Sequence, residues 1–182
     1  MNLRLARMDD CAALEQLIGL SVRLLQAPFY SMAQMEAALG PIFGVDRQLI
    51  ADGTYYVAET EGKMAGCGGW SQRASLFGGD RARTGPDPLL DPASDPARVR
   101  AFFIHPDQAR RGIGKTILAA CESAIIEAGF SRIELVATLA GEAFYLSRGY
   151  RVLKRYELPM PGRLTLPVVW MAKQMTTGNY LF

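Results

Sequence analysis

Between Arg98 and Thr138 the chain reads strand, glycine-punctuated turn, helix, strand, and this stretch constrains the fold more than any other. RVRAFFIH (98–105) reads as a buried-type strand. HPDQARRGIGKTILA (105–119) passes through Gly112-Ile113-Gly114 into a helix that runs to about Ala128, and Gly129 ends it. Ile117, Leu118, Cys121 and Ile125 recur on one face of that helix. RIELVAT (132–138) is the second strand. Two strands joined by such a helix lie parallel, with a right-handed crossover.

The flanks add antiparallel elements. NLRLAR (2–7) alternates as a short strand, and Asp9 or Asp10 caps a helix carrying Leu14, Leu17, Ile18, Val22 and Leu25. Pro28 stops it, and Ser31 caps a second helix over Met32–Leu39. TYYVAET (54–60) and KMAGCGGWSQ (63–72) form a hairpin, with Gly66, Gly68 and Gly69 marking a bulge or a close backbone approach. Residues 77–96, with three glycines and four prolines, form a long loop whose aspartates, interleaved with Arg81 and Arg83, are expected in solvent. GEAFYLSR (141–148) is a short helix, and Tyr150–Leu158 and Leu164–Lys173 pair across MPGR, with an edge suited to a homodimer. The expected class is α/β, of α+β type. It has a mixed, mostly antiparallel sheet of about six or seven strands, a parallel pair in the middle and helices on both faces, in a single domain over residues 1–182.

Composition excludes several functions. A chain of 182 residues buries a core without disulfides, and a net charge of +2 without a basic stripe argues against nucleic acid. Cys11, Cys67 and Cys121 lack metal-ligand spacing, and His105 is the one histidine, so no metal site is expected. The N-terminus lacks a secretory pattern, and no run reaches the ~18 apolar residues of a membrane span. A cytoplasmic protein without a membrane partner is expected.

Two glycines at a helix start need a reason, because glycine weakens helices. The unpaired N–H groups and the positive end of the macrodipole there suit an anion, and Arg110 and Arg111 make one more credible. Three anions compete. Ala109–Thr116 (ARRGIGKT) differs from the nucleotide-binding pattern G-x-x-x-x-G-K-[ST] only in its first glycine. That glycine lets the loop curl round phosphates, and the next strand supplies no aspartate for magnesium. A dinucleotide pattern would need glycine where Ile117 stands. The third candidate is the pyrophosphate of coenzyme A.

Phe103–Lys115 (FIHPDQARRGIGK) resembles the acyl-CoA-binding motif of the GNAT superfamily of N-acyltransferases, [QR]-x-x-G-x-[GA] opening a helix after a strand. It departs at Ala109, where the family has Gln or Arg. Ala143–Tyr150 (AFYLSRGY) resembles the family's late A-x-F-Y-x-x-x-G-[FY] block, without the Asn that often precedes it. The resemblance implies acetyl-CoA as co-substrate and no metal. It further implies that the central parallel strands splay around pantothenate, with Phe102, Phe103 and Ile104 contacting it through their backbone. The pyrophosphate would sit on Ala109, Arg110, Arg111, Gly112, Ile113, Gly114 and Lys115, with Phe144 nearby. Tyr145 matches the family's general acid for the CoA thiolate.

The implied function is N-acetyl transfer to a primary amine by direct attack. A non-catalytic acyl-CoA-binding domain of the same fold is the alternative. A phenol of pKa ~10 is matched to a thiol of ~8.5. The general base is not legible: Glu142, Glu134, Tyr55 and Tyr56 are unranked, and relay through water fits best. Glu134 is expected in solvent beside Arg132, and His105 in a turn. The fold implies an acceptor pocket from Phe29, Tyr30, Tyr55, Trp70, Ser71 and the 77–96 loop, for a small-molecule or peptide amine.

Overall fold

The apolar residues at 14, 17, 18 and 22 do form one buried stripe, on helix α1 (Cys11–Leu25). Helix α2 (Met32–Ala38) starts in a reciprocal cap. Ser31 Oγ accepts from Gln34 N–H at 3.2 Å, and Gln34 Oε1 accepts from Ser31 N–H at 2.9 Å. The computed structural model describes residues 1–80 and 87–175. The remaining elements are β1 (Asn2–Leu5), α3 (Arg47–Ala51), β2 (Tyr55–Thr60), β3 (Lys63–Ser71), β4 (Ala97–Ile104), α4 (Ile113–Glu127), β5 (Arg132–Thr138), α5 (Leu139–Leu146), β6 (Arg151–Pro159) and β7 (Thr165–Gln174).

The strands make one seven-stranded sheet in the order β1-β2-β3-β4-β5-β7-β6. Only β4 and β5 pair in parallel; every other pair is antiparallel. The period-two alternation of strand side chains sorts the interior into two cores. Tyr55, Val57, Cys67, Phe103, Leu166 and Val168 face α1 and α2. Trp70, Val99, Ile133, Leu135, Val169 and Met171 face α4.

Two irregularities in β4 matter for the site. Its parallel pairing with β5 is confined to Ala97–Ile133 and Arg98–Glu134, after which the strands separate. Gly69 pairs with Arg100 and Cys67 with Phe103, so Gly68 alone opposes both Ala101 and Phe102. This bulge holds Ala101 at φ 58°. Gly68 is required by it: a Cβ there would lie 2.6 Å from the Phe102 ring.

The structure departs from the sequence reading in several places. Helix α3 was not anticipated; it is short, and Asp46 caps it by accepting from Leu49 N–H at 3.2 Å. Helix α5 begins two residues earlier than its pattern suggests, because Thr138 Oγ1 accepts from Gly141 N–H at 3.2 Å and acts as the cap. Glu134 is not a solvent-facing carboxylate: it pairs with Arg98 at 2.6 Å and accepts from Trp170 Nε1 at 3.1 Å. Of the long loop, residues 81–86, including Arg81 and Arg83, lie outside the described residues. Two of its aspartates are engaged, Asp80 pairing with Arg47 at 2.8 Å and Asp87 accepting from Ser75 N–H at 2.9 Å, whereas Asp91 is exposed as expected.

Candidate active site

The separation of β4 from β5 opens a cleft of about 990 Å³ that passes through the sheet. Phe102, Phe103 and Ile104 form one wall, and Val136, Ala137 and Thr138 the other. His105 N–H donates to Ala65 O in β3 at 2.9 Å. Strand alternation therefore turns the Ile104 N–H to the other side, toward the gap. Ile104 N–H donates there to Ser21 Oγ at 3.3 Å.

At one end of the cleft lies the turn into α4. Arg110 adopts φ 62° and Gly112 φ 84°. Gly112 is thus demanded by the backbone, since a Cβ there would meet nothing within 4 Å. Gly114 has another role: its Cα lies under Phe144, whose ring would be 3.4 Å from a Cβ. The first backbone bond into this helix is Thr116 N–H to Gly112 O at 3.0 Å. Among the described residues, no backbone carbonyl accepts from the N–H groups of Arg110 through Lys115. That run of free donors at a helix start is an anion cradle. Arg110, Lys115 and Arg148 line the same end, whereas Arg111 is exposed and donates to Gln108 Oε1 at 3.3 Å.

Tyr145 sits in the middle of the cleft, buried between aromatic rings. Its centroid is 5.1 Å from Phe144, 5.5 Å from Tyr150 and 6.3 Å from Phe102, each edge to face. Burial pushes its hydroxyl well above the ordinary phenol pKa, so it stays protonated. The close match to a thiol pKa expected from the sequence does not hold in this setting. The buried phenol is a persistent hydrogen-bond donor rather than a group poised to ionise.

The other end of the cleft lies on the α1–α2 side. Leu25, Phe29, Ile42, Phe43, Phe77 and Leu158 line it, with Gln26 and Arg100 as polar members. The structure does not bring Tyr30, Tyr55, Trp70 or Ser71 into this wall. Tyr30 is buried behind it, donating to Pro167 O at 2.7 Å and accepting from Leu139 N–H at 2.8 Å. Tyr55 is fully buried and donates to the bulge carbonyl of Ala101 at 3.2 Å, so it supports the bulge. Trp70 faces α4, packing edge to face on Phe130, because its neighbours Cys67 and Gly69 take the opposite face. Ser71 is buried and accepts from Arg73 N–H at 3.0 Å.

Arg100 is a site residue the sequence reading missed. Its guanidinium is buried against Asp46, with Nε at 2.9 Å from Oδ2 and a second, shorter contact from the same side chain. It also donates to Ser75 O at 2.7 Å. The signal was present: an arginine alternating into an otherwise apolar strand needs a buried partner. No such signal marked Gln26, which ends an ordinary amphipathic helix.

None of the possible bases is placed for the task. Among the described residues no carboxylate or imidazole lines the cleft. Glu142 is bound by Arg155, which holds its carboxyl below the usual range. His105 lies in the turn, where Nδ1 accepts from Asp107 N–H at 3.3 Å. No group of three or more His, Cys, Asp or Glu among the described residues could hold a metal ion. No described helix is long and apolar enough to cross a membrane.

Residues 51–152, more than half of the chain, match the acetyltransferase (GNAT) domain family, and the chain belongs to that family. No curated protein sequence matches it. Among solved structures, a GCN5-related N-acetyltransferase from Rhodopseudomonas palustris superposes with a TM-score of 0.68 at 22% identity, over 96% of this chain and 95% of that one. The PaiA N-acetyltransferase of Thermoplasma acidophilum, solved with coenzyme A, gives 0.63 at 15%, over 95% and 98%. A ribosomal-protein-alanine N-acetyltransferase from Brucella melitensis gives 0.63 at 16%, over 96% and 100%. At these identities the likeness is one of fold: the seven-stranded mixed sheet with its parallel β4–β5 pair and flanking helices.

Proposed function

We propose that this protein is an acetyl-CoA-dependent N-acetyltransferase acting on a primary amine, with residues 1–182 working as one domain. The observation that carries the reading is the through-sheet cleft. It has a free N–H cradle and cations at one end, and an apolar pocket at the other. The cradle fits a pyrophosphate, and the gap between β4 and β5 fits a thin, amide-bearing arm pairing with strand edges. Coenzyme A has both parts and supplies the activated thioester. The near-match to a nucleoside-triphosphate loop is weaker, since β5 ends in Ala137-Thr138 and brings no carboxylate to the cleft.

In this reading the acceptor nitrogen attacks as a neutral amine, the new C–N bond forms and the C–S bond breaks. In this reading the Phe102 N–H donates to the carbonyl oxygen as it gathers charge. Tyr145 donates a hydrogen bond to the departing sulfur, which ends as a thiol. The proton that makes it a thiol is the one the acceptor nitrogen loses, passed through water, because among the described residues no side-chain base lines the cleft.

Replacing the phenol by a phenyl ring tests the reading. Tyr145→Phe is expected to lower kcat by about 10²-fold or more. Stabilisation by CoA in thermal unfolding should be retained, worth about 2.7 kcal/mol at 100 times the dissociation constant. An unchanged kcat would remove Tyr145 from the chemistry. A protein stabilised by Mg-ATP and not by CoA would overturn the acyltransferase reading as a whole.

A further inference from the structure

Two phenylalanines at the apolar end of the cleft lack the cover that large apolar side chains normally receive. Phe29, between α1 and α2, is 49% exposed, Phe77, beyond β3, is 36% exposed, and both line the cleft. Buried Phe43 and Leu158 line the same end. Phe43 packs edge to face on Phe103 of β4, with centroids 6.1 Å apart. The apolar lining thus runs from two accessible rings to the strand that flanks the gap. An exposed apolar patch of this kind, set in a cleft, marks a ligand-binding surface.

Charge at this end is cancelled. Among the described residues its one charged member is Arg100. Arg100 spends Nε and Nη2 on Asp46 and donates from Nη1 to Ser75 O at 2.7 Å, and the Arg100 and Asp46 side chains are 3% and 0% exposed. The other cations of the cleft, Arg110, Lys115 and Arg148, stand at the cradle, and no described lining residue is acidic. Asp80, which follows Phe77 closely in sequence, is held by Arg47 at 2.8 Å. Residues 81–86 (RARTGP) and 176–182 (TTGNYLF) contain no Asp or Glu. An alkyl ammonium titrates at about 10.4 and must shed its proton before it attacks, so the reacting nitrogen needs no counter-charge. A second ammonium on the same molecule stays charged, and it would give up hydration with nothing to replace it. A remote carboxylate meets the same penalty, because Arg100 is already neutralised.

We infer that the acceptor is a primary monoamine with an uncharged apolar body, seated against Phe29 and Phe77, and that amines carrying a second charge of either sign are rejected for want of a counter-charge. This rests on the acetyltransferase reading above.

Three probes of near-identical chain isolate the charge: pentylamine, cadaverine and δ-aminovalerate, each assayed for acetyl-CoA-dependent transfer. Wild type is expected to favour pentylamine over either of the others by about tenfold or more in kcat/KM. Phe29→Asp places a carboxylate in the lining, on a side chain exposed enough to be replaced without opening the core. It should cut the preference over cadaverine by about fivefold or more. Phe29→Leu stays apolar and should leave that ratio within about threefold of wild type. Wild-type rates within about threefold on all three probes, a preference for cadaverine or δ-aminovalerate, or a ratio that Phe29→Asp does not move would each overturn the inference while leaving acetyl transfer intact. The wild-type comparison stands even if a variant does not fold. No transfer to any of the three, with stabilisation by CoA retained, would refute the inference together with the reading beneath it.

Discussion

Removing the charge of Asp46 while keeping its shape should cost this protein a large share of its stability. The Asp46 and Arg100 side chains are 0% and 3% exposed, so the pair sits in a medium where an uncompensated charge is expensive. Asp46→Asn retains an oxygen to cap α3 at Leu49, and Arg100 retains Ser75 O. What is lost is the carboxylate held by two guanidinium nitrogens. Breaking a buried pair from one side costs about 3–5 kcal/mol, and the surviving bonds place this variant near 3. Set against a total of about 5–15 kcal/mol, that is about a fifth to three fifths of the stability. For a chain of this size it corresponds to a fall in Tm of about 6–12 °C. Urea unfolding followed by circular dichroism measures it directly. The double variant Asp46→Leu/Arg100→Met leaves no orphan charge and should recover part of the loss, short of wild type by the α3 cap and the Ser75 O bond that it also removes. A loss below about 1 kcal/mol in Asp46→Asn, the scale of a surface ion pair, would refute the argument.

Three further outcomes follow from the same geometry. Gly112→Ala forces a side chain into φ 84° at a cost of about 1–2 kcal/mol, and should weaken CoA binding more than Gly114→Ala, whose backbone is ordinary; calorimetric titration with CoA compares them, and equal effects would contradict the cradle. Burial raises the Tyr145 pKa, so its neutral form persists as pH rises; kcat/KM should climb as the acceptor amine deprotonates and show no falling limb below pH ~10, and a limb centred near 9 would count against a buried phenol. Burial pushes the Cys67 thiol up to about 12 and the Cys121 thiol higher still, whereas Cys11 is half-buried; a chromogenic disulfide reagent should therefore titrate Cys11 alone in the native protein and all three cysteines after unfolding.

Local pattern made much of this protein legible in advance. The β4–α4–β5 unit, the hairpins and the Ser31 cap follow from periodicity and cap chemistry, which act within a few residues. The sequence also marked the helix start at one end of the cleft, because its glycines and arginines stand in consecutive residues. It did not mark the acceptor end. Tyr30, Tyr55, Trp70 and Ser71 looked available as polar or aromatic residues near loops. Which face of the sheet Trp70 takes depends on the strand register, and Tyr55 is consumed by the bulge carbonyl across the sheet. Arg100 meets Asp46 54 positions away, and the apolar end of the cleft draws Phe29, Phe77 and Leu158 from distant segments. Short-range sequence determined the elements and the run of free N–H groups at the start of α4. Only tertiary packing decided where β4 leaves β5 and which side chains line the gap, because both depend on contacts between segments far apart in the chain.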